Sequence, residues 1–242
     1  MAEWPKEVVA VYVLCHPLKE AKRWARLEPH LLNAGIPAEK IRLCAPTWGT
    51  DLRVQDIFNV YDPFLKRRNG KEDLPAFTFK AAGLTLGEIS LGLNFCQAVS
   101  DVVQRGEKGY VITLESDVWL RKDFVPRLKE LLASAATVEP KWDYISLGEG
   151  VGTRPKEADP SYFARTKAYK PPHLWVFRCT DSMLFTTDYL ERLSKTMIPF
   201  KEIIDWEMNF QLLLNKGTAL WADPPLVEQG TCYQRMLTSL PA

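Results

Sequence analysis

The sequence predicts one α/β domain, a mixed and mostly parallel sheet flanked by helices. Three observations predict it. Near-continuous apolar, β-branched runs at 8–14 and 110–114 have the pattern of strands buried on both faces of a sheet. Amphipathic stretches of helical length fall between such runs, the alternation that builds parallel sheets. No repeat, low-complexity tract or interdomain linker interrupts the 242 residues, so a single domain spans 1–242.

The opening run, Val8-Val9-Ala10-Val11-Tyr12-Val13-Leu14, reads as a central strand. An amphipathic helix follows to about Ala34, with Ala21, Trp24, Leu27, Leu31 and Leu32 at helical spacing and Gly35-Ile36-Pro37 as its stop. A short strand at 41–45 completes a βαβ unit. From Thr47 to Leu84 the periodicity fails. Gly49, Pro63, Pro75 and the basic run Lys66-Arg67-Arg68-Asn69-Gly70 read as an irregular surface segment. Thr85-Leu86-Gly87-Glu88 has capping-box spacing and opens a long helix through Ile89, Leu93, Cys96, Val99 and Val103 to Gly106. A strand at 110–118, a helix at 124–136 and a strand at 142–148 come next. The segment 150–172, rich in Gly, Pro, Lys and Arg, is irregular and long enough to serve as a lid or acceptor loop. The rest reads as a strand at 174–179, a helix at 181–196 capped by Thr180 or Asp181, a helix at 205–216, a strand at 219–222 and a proline-containing tail.

Thirty-one Lys and Arg against thirty Asp and Glu leave a formal charge of +1, so no global field draws the protein onto nucleic acid or an anionic membrane. Cys15, Cys44, Cys96, Cys179 and Cys232 are scattered and odd in number, unlike a disulfide framework or a zinc site. The N-terminus lacks the layout of a signal peptide and no apolar run reaches membrane-spanning length, so a cytoplasmic protein without a transmembrane segment is expected.

The chemistry concentrates at the end of the 110–118 run. Glu115 and Asp117 are two residues apart, which on one strand places both carboxylates on the same side at its C-terminal edge, outside the core. That edge is where ligands sit in open α/β sheets. Two hard oxygen ligands there suit Mn²⁺ or Mg²⁺ with a diphosphate, although the same pair also reads as a solvated turn. Arg23 lies one or two turns into the first helix, where it reaches a phosphate or stays solvated. Asp205 and Glu207 bracket Trp206 at a helix start, as catalytic carboxylates or as first-turn capping charges.

Six segments in order resemble glycosyltransferase family 25, the lipooligosaccharide and collagen galactosyltransferase type. They are Val11-Tyr12-Val13-Leu14 with Arg23; Leu84-Thr85-Leu86-Gly87-Glu88-Ile89; Val111 to Val118 with Asp123-Phe124; Trp142 to Gly148; Ile203-Ile204-Asp205; and Pro225-Leu226-Val227 with Gln229. Two positions depart from the family pattern: Ser116 replaces the middle acid of its Glu-Asp-Asp triplet, and Asn94-Phe95 stand where many members carry Ser-His. The resemblance implies a single-domain GT-A-type nucleotide-diphospho-sugar transferase fold. It implies transfer of a galactose-type hexose from a UDP-sugar to a glycan or glycoprotein acceptor, with inversion, as in lipopolysaccharide biosynthesis. Mn²⁺ or Mg²⁺ would be held by Glu115 and Asp117, with Gln229 or water as third ligand. His16, Arg23, Thr47, Gly49, Glu88 and Glu115 would face the donor, and Asp205, with Glu207 in reserve, would act on the acceptor hydroxyl. A sugar-phosphate nucleotidyltransferase is the alternative enzyme class, but no Gly-rich, Arg/Lys-bearing phosphate loop follows the first strand of this chain. A non-catalytic sugar-binding relative is the third reading, opened by Ser116 and Asn94.

Overall fold

The opening βαβ unit consists of strand β1 (Val8–Leu14), helix α1 (Ala21–Asn33) and strand β2 (Ile41–Leu43), with β2 parallel to β1. The computed structural model describes residues 2–62, 83–148, 166–171 and 179–231. Side-chain alternation along β1 splits the core into two layers. Val11 and Val13 pack with Leu27 and Leu31 of α1, whereas Ala10, Tyr12 and Leu14 pack with Phe95 and Val99 on the other face.

Short helix α2 (Val54–Phe58) precedes helix α3 (Leu86–Arg105), which begins at the expected capping box: Thr85 accepts from the Glu88 amide and the Glu88 carboxylate accepts from the Thr85 amide. It ends at Gly106 in the left-handed region, φ 63°, where a residue with a Cβ is strained. The chain continues through β3 (Tyr110–Glu115), β4 (Val118–Leu120), α4 (Phe124–Val138), β5 (Tyr144–Ser146) and β6 (Lys167–Tyr169). It ends with β7 (Ser182–Thr186), α5 (Thr187–Leu193), α6 (Ile204–Leu214), β8 (Ala219–Asp223) and β9 (Val227–Gln229).

Seven strands form the main sheet in the order β2-β1-β3-β7-β5-β8-β6. β2, β1, β3, β5 and β8 share one direction, and β7 and β6 run against them. The sheet is therefore mixed, with helices on both faces. Among the described residues no helix is long and apolar enough to cross a membrane.

Four expectations change, the first within 47–84, expected to be irregular, where Val54–Phe58 forms the short helix α2. Residues 182–186 are a strand, not the start of a helix: β7 fills the slot between β3 and β5, both of whose ladders it completes, and Ser182 to Phe185 are fully buried. The helix starts after it, capped by Thr186, whose hydroxyl accepts from the Tyr189 amide. The acidic strand stops at Glu115 rather than Val118. Within the segment expected to be irregular, Lys167–Tyr169 adds an edge strand against β8. The basic run at 66–70, most of 150–172 and the expected strand at 174–179 up to 178 lie outside the described residues.

Candidate active site

Strand β3 ends at the C-terminal edge of the sheet, and the chain then turns through Ser116 and Asp117 into β4. Glu115 and Asp117 thus belong to a strand end and a turn, not to one strand. β4 pairs antiparallel with β9, setting Val118 opposite Gln229. This register brings the Gln229 amide nitrogen to 3.4 Å from Glu115 Oε2. It also lets the Gly230 amide donate to the Asp117 carbonyl at 2.8 Å. Thr231 donates both its amide, at 3.1 Å, and its hydroxyl to Asp117 Oδ2. Asp117 is consequently buried, at 3% exposure, and not the solvent-facing carboxylate its place in the sequence suggests.

The acids at this edge act on one another, and the charge of Arg26 lies within reach of Asp117. Asp117 Oδ1 is buried and has no hydrogen-bond partner among the described residues. Burial pushes the Glu115 carboxyl up to about 8, with the charges of Asp117, Asp181 and Asp205 adding to the effect and the Thr180 hydroxyl, 2.6 Å from Glu115 Oε1, opposing it. Asp181 enters because the Glu115 amide donates to its carbonyl at 2.9 Å where β7 begins. Among the described residues, no group of three or more His, Cys, Asp and Glu side chains is placed to hold a metal ion.

Helix α1 lies under this turn and meets it with its polar side. Ser116 Oγ donates to Glu20 Oε1 at 2.6 Å and accepts from Arg23 Nη1 at 2.9 Å, and Arg23 also lies 3.5 Å from Glu20. Arg23, expected to reach a phosphate, is held inside this network with its side chain 13% exposed. Ser116 is the node of that network. His16 is drawn into the local turn, its Nδ1 accepting from the Leu18 and Lys19 amides and its ring edge-on to Trp48 at 5.8 Å. Arg26 donates to the carbonyls of Ser116 and Val118, both at 3.0 Å, and His30 Nε2 accepts from the Leu120 amide at 2.8 Å.

The remaining candidates gather at the start of α3 and of α6. Asn94 clamps Thr47: its Oδ1 accepts from the Thr47 amide and hydroxyl, and its Nδ2 donates to the Thr47 carbonyl. Gly49 packs so tightly on α3 that a Cβ there would fall 2.9 Å from the Gly87 nitrogen. Glu88 caps α3, and its charge also reaches Asp205. Asp205 is half-buried, and burial, with a contribution from Glu88, raises its carboxyl above the usual range. Its Oδ1 accepts from the Trp206 amide at 2.8 Å, and its charge is felt at Glu115. Glu207 is fully buried. Its Oε2 accepts from the Lys201 and Glu202 amides and its Oε1 from Gln211 Nε2, so it latches the loop entering α6 and is withdrawn from any acceptor.

The structure therefore gathers Glu115, Asp117 and Gln229 at one edge, sets Asp205 within their field, and gives Arg23, Thr47, Gly49 and Glu207 structural partners. Sequence reasoning passed over Thr180, Asp181 and Thr231, which adjoin the acids, and Arg26 and His30, which support them from below. Arg26 and His30 carried one signal: with Glu20 and Arg23 they recur every three or four residues along one side of an amphipathic helix.

No protein-family model matches the chain, and no curated protein matches it. Among solved structures, the chain is similar to the crystal structure of a glycosyltransferase involved in the glycosylation of the major capsid of PBCV-1, with 11% identity, a TM-score of 0.41 and 96% of each chain covered. At that distance no residue role passes from one chain to the other.

Proposed function

We propose that this protein is a glycosyltransferase that moves a hexose from a UDP-sugar to a hydroxyl of a glycan or glycoprotein, with GT-A-type topology and a divalent cation at the acidic turn. One observation supports this above the rest: Asp117 Oδ1 is buried without a partner beside a Glu115 whose carboxyl is pushed up to about 8, at the C-terminal edge of a central strand. Acids are costly to gather in this way unless a cation joins them. Glu115 and Asp117 would hold a hard cation through their carboxylate oxygens, with the oxygen of the Gln229 amide or water as a further ligand. Bound there, Mn²⁺ or Mg²⁺ supplies neutralisation of the departing nucleoside diphosphate.

The chain's own residues do the rest. Thr180 and Gln229 orient the two oxygens of Glu115, and Thr231 fixes one oxygen of Asp117. Asp205, anchored through Oδ1 by the Trp206 amide, is the carboxylate proposed to take a proton from an acceptor hydroxyl. Burial raises the Asp205 carboxyl above the usual range, which makes its carboxylate the stronger base for that task. Inversion requires this base to face the sugar from the side opposite the leaving group.

The test is a screen of nucleotide sugars with Mn²⁺ for nucleoside-diphosphate release, followed by UDP titration of Glu115→Gln and Asp117→Asn. Metal-dependent UDP binding in wild type that is lost in Asp117→Asn and weakened in Glu115→Gln is the expected result. Unchanged metal-dependent binding in both variants overturns the site, and no turnover with any nucleotide sugar overturns the function.

A further inference from the structure

We infer that Arg26 is a positioning residue for the candidate site: its guanidinium forks between the two carbonyls that flank Asp117 and thereby sets the direction of that carboxylate. The fork is explicit in the geometry. Nη2 donates to Ser116 O and Nη1 to Val118 O, each at 3.0 Å, so the Ser116–Asp117 and Val118–Trp119 peptide units, which bracket Asp117 and the Asp117–Val118 unit between them, are tied to one rigid plane. The plane is itself oriented, because its central carbon lies 4.5 Å from the centroid of the Trp119 ring.

Arg26 is fixed from the side of α1 and has little freedom to do anything else. Burial pushes its guanidinium down, and Asp117 acts in the opposite direction, which places the two charges within reach of each other. Its Nε is buried and has no partner among the described residues, so the side chain gives up one donor to hold this pose. Neighbours on the same helix brace the turn further along: Arg23 and Glu20 hold the Ser116 hydroxyl, and His30 accepts from the Leu120 amide. The opposite side of Asp117 is held by Thr231. Arg26 acts on the backbone and Thr231 on the carboxylate, and together they leave Oδ1 buried without a partner among the described residues.

A lysine cannot replace this arrangement. Its ammonium is a point charge that satisfies one carbonyl well, whereas the two carbonyls need a planar, two-pronged donor. The positioning itself is independent of what the site does; its consequence for donor binding rests on the function proposed above.

The experiment compares wild type with Arg26→Lys and Arg26→Met in two measurements. The first is amide hydrogen exchange of the protein without metal. Both variants should exchange faster across 115–120 by roughly tenfold or more, with the amides of β1 and α3 unchanged. The second is UDP binding in Mn²⁺, where both variants should weaken affinity by roughly tenfold or more, the usual scale for a group that orients a ligand from behind. Wild-type exchange in the turn of either variant, rescue of both readouts by lysine, or a uniform rise in exchange over the whole chain overturns the inference. If wild type itself binds no UDP with Mn²⁺, the proposed function falls, and exchange in the turn alone decides the positioning.

Discussion

Replacing Glu207 by glutamine separates a structural carboxylate from a catalytic one, and the structure sets the size of the effect. The carboxylate accepts from the Lys201 amide at 3.0 Å, the Glu202 amide at 3.4 Å and Gln211 Nε2 at 2.8 Å. In Glu207→Gln the new amide can keep its oxygen toward the two loop amides, but its NH₂ then meets the NH₂ of Gln211. Turning the Gln211 amide over to relieve this gives up its bond to the Thr196 carbonyl at 3.1 Å and opposes its NH₂ to Asn215. One charge-assisted bond is lost, two others are weakened, and the mismatch lies in a fully buried place. The cost is about 2–4 kcal/mol. For a chain of this size, about 3 kcal/mol lowers Tm by about 6–12 °C. Urea unfolding of wild type and variant at one pH measures it. A stability change under about 0.5 kcal/mol combined with a large loss of turnover would refute the reasoning and return Glu207 to the chemistry.

Two further outcomes follow from the acids themselves. The carboxyl of Glu115 is raised in the folded state from 4.5 to about 8, so wild type in EDTA should lose stability as pH climbs through that window, with a ceiling of about 5 kcal/mol. The loss should be complete above about pH 8, and in Glu115→Gln this component should be absent; parallel pH profiles of wild type and variant would show that Glu115 ionises normally. Asp205→Asn should lower kcat by roughly 100-fold or more while UDP affinity and Tm stay near wild type, because asparagine retains an oxygen for the Trp206 amide. Steady-state kinetics and thermal melts on the same preparation check it, and normal kcat removes Asp205 from the mechanism.

The parts of the fold readable in the sequence are those where local signals agree with the tertiary solution. β1 shows as an unbroken apolar run because both its faces are covered, and α3 shows because Thr85, Glu88 and Gly106 mark its two ends. β7 was hidden by an ambiguity of spacing. Thr180-Asp181 resembles a helix cap, and Met183, Leu184 and Leu190 fall at a spacing that fits a helix as well as a strand-then-helix. Only the open slot between β3 and β5 decides in favour of a strand. β4 and β9 have three residues each and stabilise one another across the chain, so neither announces itself alone. At the site, the types and positions of Glu115, Asp117, Gln229 and Asp205 could be picked out. The burial of Asp117 could not, because it comes from β9 and α1 closing on the turn. Charged residues on α1 look solvated in sequence because nothing local indicates that a turn ninety residues away will settle on them.

The β4–β9 ribbon has a consequence for biosynthesis. Asp117 and the Thr231 that holds it are 114 positions apart, so their contact can form only after everything between them has been synthesised. While the ribosome is still adding α5, α6 and β8, the acidic turn already has α1 beneath it but has no β9 strand beside it and no Thr231 on its carboxylate. A nascent chain that has folded its first βαβ unit and α3 therefore carries an incompletely shaped site. Ligand competence should appear abruptly once residues 227–231 emerge, rather than grow in proportion to length. Release intermediates stalled just before and just after that point would differ by only a few residues, yet one would hold Asp117 in place and the other would not.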